Sequence, residues 1–501
     1  MKQFTLRGLL LGIAGLLVIT CSSVYVSLRM GALPWPTVFV TVLAMTVLGK
    51  AKNSSLQEIN VTHTLMSSGA MVAGGLAFTL PGLWILNPSA GISTFQVLVF
   101  TVAGAVLGTV FSAFYRKNLI YEQKLVFPIG QSAYETLTTG ISNGKQSVKL
   151  FAAMGASVVF TVFRDALGLF PAVVSFSNAG LWLSPMALAI GAVIGRLSAY
   201  LWLGGALIGL FIDDVVFKQS IGIGIMLGTG AGVLVKAAVN RIREGRCKGE
   251  KTKTNVVYLL ATVLCVAFVL AAGTDLDFVQ SLLTVAGIWV VTLLSGMLTG
   301  QSGINPMEVF GILVMLAISV FSKLSSVSMF VIAGTTAVAC GLCGDVMNDL
   351  KSGSMLGTDP SQQILAEGVG GVIGAVVSVA VLFALRNRFG NFGGELLPAP
   401  QATAVAAMAG GFGNTKIILA GAALGFVLFL AGIPASTLGL GIYLANYISF
   451  AVGLGAVLAN GLKRFAKVRD RDVNLVSSGL LGGEGIAGVV IAIISTMTGG
   501  I

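Results

Sequence analysis

Phe127-Pro128-Ile129-Gly130-Gln131, reached from Tyr115-Arg116-Lys117, has a counterpart far down the chain. Leu385-Arg386-Asn387 leads in the same way to Leu397-Pro398-Ala399-Pro400-Gln401. Arg116 and Arg386, Pro128 and Pro398, and Gln131 and Gln401 are each 270 residues apart. Thr64 and Gly69 match Thr336 and Gly341 at 272, and Leu188, Gly191, Gly205 and Ala206 match Leu438, Gly441, Gly455 and Ala456 at 250. The change from 270 to 250 puts a difference of 20 residues into one loop. A single Gly or Leu match carries little weight in this composition; the order of the matched blocks carries the reading. Two related halves are expected, residues 1–240 and 256–501, joined by a basic linker at 241–255.

The composition says where such a chain can live. Hydrophobic residues make up 55% and charged residues 10%, against roughly 25% charged in soluble domains. Mean hydropathy is +0.94. Apolar runs at residues 9–27, 94–114, 256–272, 282–297, 364–385 and 417–433 approach the ~20 residues that cross a bilayer as helix. An outer-membrane barrel would show shorter, alternating segments. The expectation is an all-α polytopic integral membrane protein of two structural repeats, with roughly 12–16 membrane-depth helices, some short or re-entrant. Repeats with Pro- and Gly-broken polar segments point to a secondary transporter, whose substrate site lies between the repeats near the bilayer midplane.

The formal charge of +11 is concentrated where a membrane topology signal belongs. Arg241 through Lys253 form one short basic stretch, Lys463 through Arg471 another, and Lys2 and Arg7 flank the first apolar run. This is the positive-inside pattern, so the N-terminus and both basic loops are assigned to the cytoplasm, and nucleic acid is not an expected partner. The first apolar run exceeds a signal-peptide core and lacks a small-x-small cleavage site, so it reads as a retained helix.

Catalytic, metal and cofactor motifs are weak. Cys340-Gly341-Leu342-Cys343 has redox-like spacing, but its context is apolar and no second pair exists, which favours packing. Gly222 through Gly232 follow no strand and no Lys-Ser/Thr pair closes them, so they make no phosphate loop. Asp213-Asp214 lack a third ligand. With one His and no nucleophile elbow, neither an enzyme, a metal site nor a cofactor is expected.

Several ordered segments resemble the oligopeptide transporter (OPT) family, which includes the yellow-stripe-like metal-chelate carriers. They are Phe127-Pro128-Ile129-Gly130; Gly344-Asp345 with Asp349-Leu350-Lys351-Ser352-Gly353 and the trailing Gln362-Gln363; Leu397-Pro398-Ala399-Pro400-Gln401-Ala402; Leu438 through Leu444; and Ser478 through Gly485. The Asn-Pro-Gly…Lys-Glu-His element of the eukaryotic peptide branch is absent. Tyr134-Glu135-Thr136 stand where many relatives lead to a His. The resemblance implies proton-coupled uptake of small peptides or peptide-like compounds by a short, prokaryotic-type member in a bacterial inner membrane. A metal-chelate carrier of the same family is the alternative, and a passive channel the alternative of another class. A homo-oligomer is compatible with either.

The ionisable residues at membrane depth supply the candidate chemistry, because such groups usually face a bundle interior or a cavity. Asp345 and Asp349 are four apart and share one helix face, with Asn348 beside them; two carboxylates that close can share a proton. Glu367 and Glu484, in Gly-rich apolar runs, are further proton-coupling candidates. The competing reading leaves Asp345 and Asp349 wet at a helix end. Arg164 is the candidate for a substrate carboxylate, which a guanidinium grips with two hydrogen bonds, unless Asp165 neutralises it. Arg196 has the same choice between substrate and interface. Glu58, Thr62, His63 and Thr64 form a polar stripe, and His63 reads as an interior hydrogen-bonded residue more readily than as a ligand. Pro128 and Pro398 interrupt helices; Gln131, Ser132, Gln401 and Thr403 follow them and can hydrogen-bond a peptide backbone, unless the prolines are kinks only.

Overall fold

The computed structural model describes residues 3–30, 33, 37–49, 54–140, 145–176, 179–194, 196–243, 253–390, 392–394, 397–412, 415–433 and 435–498. Residues 244–252, the middle of the expected basic linker, lie outside the described residues. In chain order the helices are α1 (Leu6–Met30), α2 (Thr37–Leu48), α3 (Leu56–Ala77), α4 (Pro81–Leu86), α5 (Thr94–Arg116), α6 (Pro128–Gly140) and α7 (Lys145–Thr161). Then come α8 (Pro185–Val193), α9 (Arg196–Leu210), α10 (Val215–Arg243), α11 (Lys253–Gly273), α12 (Phe278–Ser302), α13 (Met307–Ser319) and α14 (Ser326–Leu356). The rest are α15 (Pro360–Phe389), α16 (Pro400–Ala407), α17 (Thr415–Leu430), α18 (Ala435–Tyr443), α19 (Asn446–Phe465) and α20 (Asp470–Thr498). One antiparallel hairpin, β1 (Val173–Phe176) with β2 (Ala179–Trp182), interrupts them.

The protein is an all-α polytopic membrane protein. Six helices among the described residues are long and apolar enough to cross a bilayer: Leu6–Tyr25, Leu56–Leu86, Thr94–Glu122, Phe278–Ser302, Ser326–Leu356 and Pro360–Arg388. Arg196–Leu210, Val257–Gly273 and Met307–Ser319 are apolar but shorter. The expected 12–16 counted such short and broken segments together with full spans.

Local sequence sets the helix ends. Ser55 caps α3 by accepting from Glu58 N, and Asp277 and Gln280 form a reciprocal capping box on α12, so N-terminal amides left without helical partners are satisfied. Asp359 caps α15 ahead of Pro360. Gly303 and Gly357 close α12 and α14 in the left-handed conformation, which glycine adopts without a Cβ clash.

By backbone contacts the chain forms two compact units. The first comprises residues 1–166, 263–411 and 478–501; the second comprises 167–262 and 412–477. In the first, α14 is buried along nearly its whole length and packs on α3, α5, α6, α12, α13 and α15. Small residues let it do so. A Cβ at Gly104 or Gly108 of α5 would lie 2.6 Å from the carbonyl oxygen of Thr335 or Ala339.

Element lengths and contacts recur along the chain. Helices α1 and α12 each have 25 residues, and both Leu6 to Phe278 and Met30 to Ser302 span 272 positions. Helices α8 and α18 each have 9 residues, with both ends 250 positions apart. Phe127 N donates to Gly300 O at 2.9 Å, and Ala399 N donates to Leu28 O at 2.7 Å. Phe127 (φ 49°) and Ala399 (φ 42°) are both left-handed, and each precedes a proline at the first helical position. This register pairs Pro128 with Pro400, not with Pro398. The 270-residue register followed identical residues, whereas a helix start is set by the proline at its first position.

The second unit repeats the pattern at 250. Gly191 packs on the Val452 carbonyl and Gly441 on the Trp202 carbonyl; Gly205 packs on Leu438 and Gly455 on Leu188. Trp202 Nε1 donates to Ser449 Oγ at 2.9 Å inside this bundle.

Candidate functional site

Three helices of the first unit bring polar side chains to one point. Asn60, Thr64 and Ser67 lie along one face of α3, because residues three and four apart are neighbours on a helix. Asp345, Asp349 and Ser352 do the same on α14, and Gln363 and Glu367 on α15. All eight are buried, Asp345, Asp349 and Glu367 completely so. Oxygen atoms of these three carboxyls lie within 4.8 Å of one another.

The surrounding bonds fix the cluster. Ser67 Oγ donates to Asp349 Oδ2 at 3.3 Å, and Gln363 Nε2 donates to the Asp349 carbonyl at 2.8 Å. Ser352 Oγ donates to Asn60 Oδ1 at 3.0 Å and Asn60 Nδ2 to Thr358 Oγ1 at 3.1 Å. Asn60 Oδ1 also faces His63 Nε2 at 2.8 Å, and His63 Nδ1 faces Thr41 Oγ1 at 3.2 Å. A neutral imidazole with its proton on Nε2 satisfies both contacts, the threonine hydroxyl donating. His63 is therefore held between two neutral partners, as an interior residue.

The charge balance is what sets this cluster apart. Glu58, also buried, is gripped by Arg7 through two bonds of 2.6 Å and by Thr5 Oγ1 at 2.6 Å. Among the described residues no ion pair uses Asp349 or Glu367, and Asp349 Oδ1 and both Glu367 oxygens receive no hydrogen bond. An ionised carboxylate buried without a cation costs several kcal/mol. Asp349 and Glu367 together therefore call for protons or a bound cation. Clustered carboxylate oxygens also suit a hard cation, and these acids are the one group of three among the described residues arranged so. The sequence reading named no metal ligand.

Arg164 and Glu484 meet elsewhere in the same unit. Arg164 Nε and Nη2 donate to Asp165 at 2.6 Å each, and Nη2 also donates to Glu484 Oε1 at 2.9 Å. Both Arg164 and Glu484 are buried. The guanidinium expected to meet substrate is shared by two carboxylates of the chain itself.

The proline segments differ. Pro128 is buried at the start of α6. Gly130 N donates to Asn348 Oδ1 at 3.2 Å, on the helix that carries Asp345 and Asp349, and Ser132 Oγ donates to Ser478 O at 3.3 Å. Gln131 is half-buried. Pro398 and Gln401 are half-buried and Thr403 is exposed, its hydroxyl donating to the Ala399 carbonyl at 3.1 Å; α16 packs on α1, α4 and α13. Arg196, Asp213 and Asp214 are exposed, and Asp214 caps α10. Cys340 and Cys343 are buried thiols in the α14 packing.

Asn60 and Ser67 were not singled out from the sequence, and Ser352 and Gln363 entered only through the family resemblance. Their spacing was available, Gln363 and Glu367 being four apart, but the crossing that joins them was not.

The sequence model described as OPT oligopeptide transporter protein matches residues 3–239 and 253–495. The chain belongs to the OPT oligopeptide transporter family. It is also similar to a Haemophilus influenzae protein named "Putative oligopeptide transporter", at 26% identity over 597 aligned positions covering 95% of this chain and 93% of that relative. Family membership and the long apolar helices make the chain a multi-pass membrane transporter. In this OPT-family protein the buried acids of α14 lie inside the Gly344–Gly353 segment on which the resemblance rested.

Proposed function

We propose that this OPT-family transporter is a proton-coupled symporter that takes up short peptides or peptide-like compounds across a bacterial inner membrane, its N-terminus cytoplasmic. The observation that carries the coupling is the buried Asp345–Asp349–Glu367 cluster, whose described surroundings supply no cation to Asp349 or Glu367. A proton held there neutralises part of the cluster, and its release requires water or substrate to reach it. Coupling follows if substrate binds the protonated and deprotonated states with different affinity. Glu484 is the secondary candidate, since Arg164 already compensates it.

For substrate contact the reading keeps Pro128, Gln131 and Ser132 of α6, Arg164, and Pro398, Gln401 and Thr403 of the second half. Of these, the α6 segment has the strongest support, because Gly130 bonds to Asn348 beside the acids. The halves 1–240 and 256–501 are proposed as repeats around the 241–255 linker. Equal helix lengths at constant spacing and exchanged contact partners support this. Alternating access would then come from one repeat moving against the other.

Trialanine uptake into proteoliposomes under an inward proton gradient tests the function. Accumulation that a protonophore abolishes supports it. Accumulation driven only by sodium would put a metal cation, not a proton, in the acid cluster. Uptake of a ferric or nickel chelate without trialanine would assign the metal-chelate branch, and equilibration without accumulation would make the protein a channel.

A further inference from the structure

A cavity of about 460 Å³ lies inside the second unit, between the β1–β2 hairpin, the start of α10 and the break from α18 to α19. Its size falls in the ~300–1,000 Å³ range of small-molecule sites. Lys218 reaches into it from α10. The stem of this lysine crosses α9 at Gly209, where a Cβ would stand 2.9 Å from Lys218 Cε. Lys218 Nζ donates to Asn446 Oδ1 at 2.6 Å, which uses one of its three protons. No ion pair among the described residues uses Lys218. The nearby Asp214 side chain is occupied by the amides of Val216 and Phe217.

The opposite wall adds a second positive element. Helix α19 begins at Asn446 after Ala445, which has no side chain to cap it. Asn446 and Tyr447, the first two residues of this 20-residue helix, line the same cavity as the ammonium, while the Ile448 amide donates to the Ala445 carbonyl at 3.0 Å; helix N-termini favour anions. Val173, Leu444 and Tyr447 line the remainder. An ammonium oriented by Asn446, the start of a long helix without a side-chain cap, and apolar walls suit a ligand with one carboxylate on a neutral body.

We infer that this cavity is a binding site for a small monocarboxylate, with Lys218 as its charge partner and Asn446 as the residue that positions Lys218. The site is separate from the acid cluster and does not depend on proton coupling. The carboxylate can belong to a peptide C-terminus or to a free carboxylic acid.

The test uses the full chain in detergent, labelled with acetic anhydride and read at Lys218 by peptide mass spectrometry, with exposed Lys323 as reference. Trialanine slows Lys218 acetylation by roughly tenfold and leaves Lys323 unchanged, whereas trialanine amide protects neither. Hexanoate protection equal to that of trialanine assigns the site to carboxylic acids in general; protection by trialanine alone assigns it to peptides. Calorimetric trialanine binding loses one site in Lys218→Gln and keeps it in Lys218→Arg. Equal protection by trialanine and its amide, no protection by any probe, or undiminished binding by folded Lys218→Gln overturns the inference. Should Lys218→Gln fail to fold, the wild-type labelling decides alone.

Discussion

The backbone amide of Ala399 donates to the carbonyl of Leu28 at 2.7 Å. The same bond recurs between Phe127 and Gly300 at 2.9 Å, with each partner displaced by 272 positions. Partners exchanged in this way are what a two-fold relation between like units produces. In the second unit Gly191 against Val452 and Gly441 against Trp202 are exchanged likewise.

This exchange makes two distant glycines comparable. A Cβ at Gly191 or at Gly441 meets backbone of the facing helix, which cannot retreat as a side-chain tip can. Gly191→Ala and Gly441→Ala should each cost about 1–3 kcal/mol through overpacking, and by similar amounts. Thermal unfolding in detergent reads both. A clear loss at one position with none at the other speaks against equivalent packing.

Arg164 compensates Asp165 and Glu484 at once. Removing the cation from a buried carboxylate such as Glu484 costs about 3–5 kcal/mol, so Arg164→Gln should lower the melting temperature strongly. Adding Glu484→Gln to that variant should restore part of the loss, because one stranded charge is gone. A double variant less stable than Arg164→Gln alone rules out this balance.

The sequence made the local half of this architecture readable. Asp345 and Asp349 share a face because helix periodicity is local, and neighbouring Asp165 was foreseen as a partner of Arg164. Glu484, 320 residues from Arg164, was recognised only as a lone acid in an apolar run. The meeting of Asn60, Ser352 and Gln363 depends on three helices crossing, which no window of sequence encodes. The ordered matches suggested the repeat proposed above; at Pro398 their 270-residue register departs by two residues from the 272-residue spacing of the helix starts at Pro128 and Pro400, where residue identity and helix start part company.

Asp359 lies between two spans and caps α15. Hydrogen bonds from Ser361, then from Gln362, hold its carboxyl below the usual carboxylate range. Because the folded state prefers the ionised form, the contribution is present above the ordinary pKa of about 3.9. It is lost as pH falls through the depressed folded value. Asp359→Ala should cost about 0.5–2 kcal/mol at neutral pH. The gap between wild type and variant should shrink as the pH is lowered below 4 or so. A gap that is constant with pH excludes the ionised cap.

The three clustered acids should separate binding from coupling. Asp345→Asn, Asp349→Asn and Glu367→Gln keep side-chain shape while removing charge. Each should reduce proton-driven trialanine accumulation by roughly tenfold or more while leaving exchange of labelled for unlabelled trialanine in place, since exchange needs no net proton movement. Wild-type accumulation by any one of them removes that residue from the coupling step.

The most direct measurement of the central claim is proton movement itself. Proteoliposomes containing a pH-sensitive dye, with no imposed gradient, receive trialanine from outside. Wild-type protein should acidify the lumen as trialanine enters, and the Asp349→Asn/Glu367→Gln double variant should not. Trialanine entry without acidification, or equal acidification by the double variant, contradicts a coupling proton held by Asp345, Asp349 and Glu367.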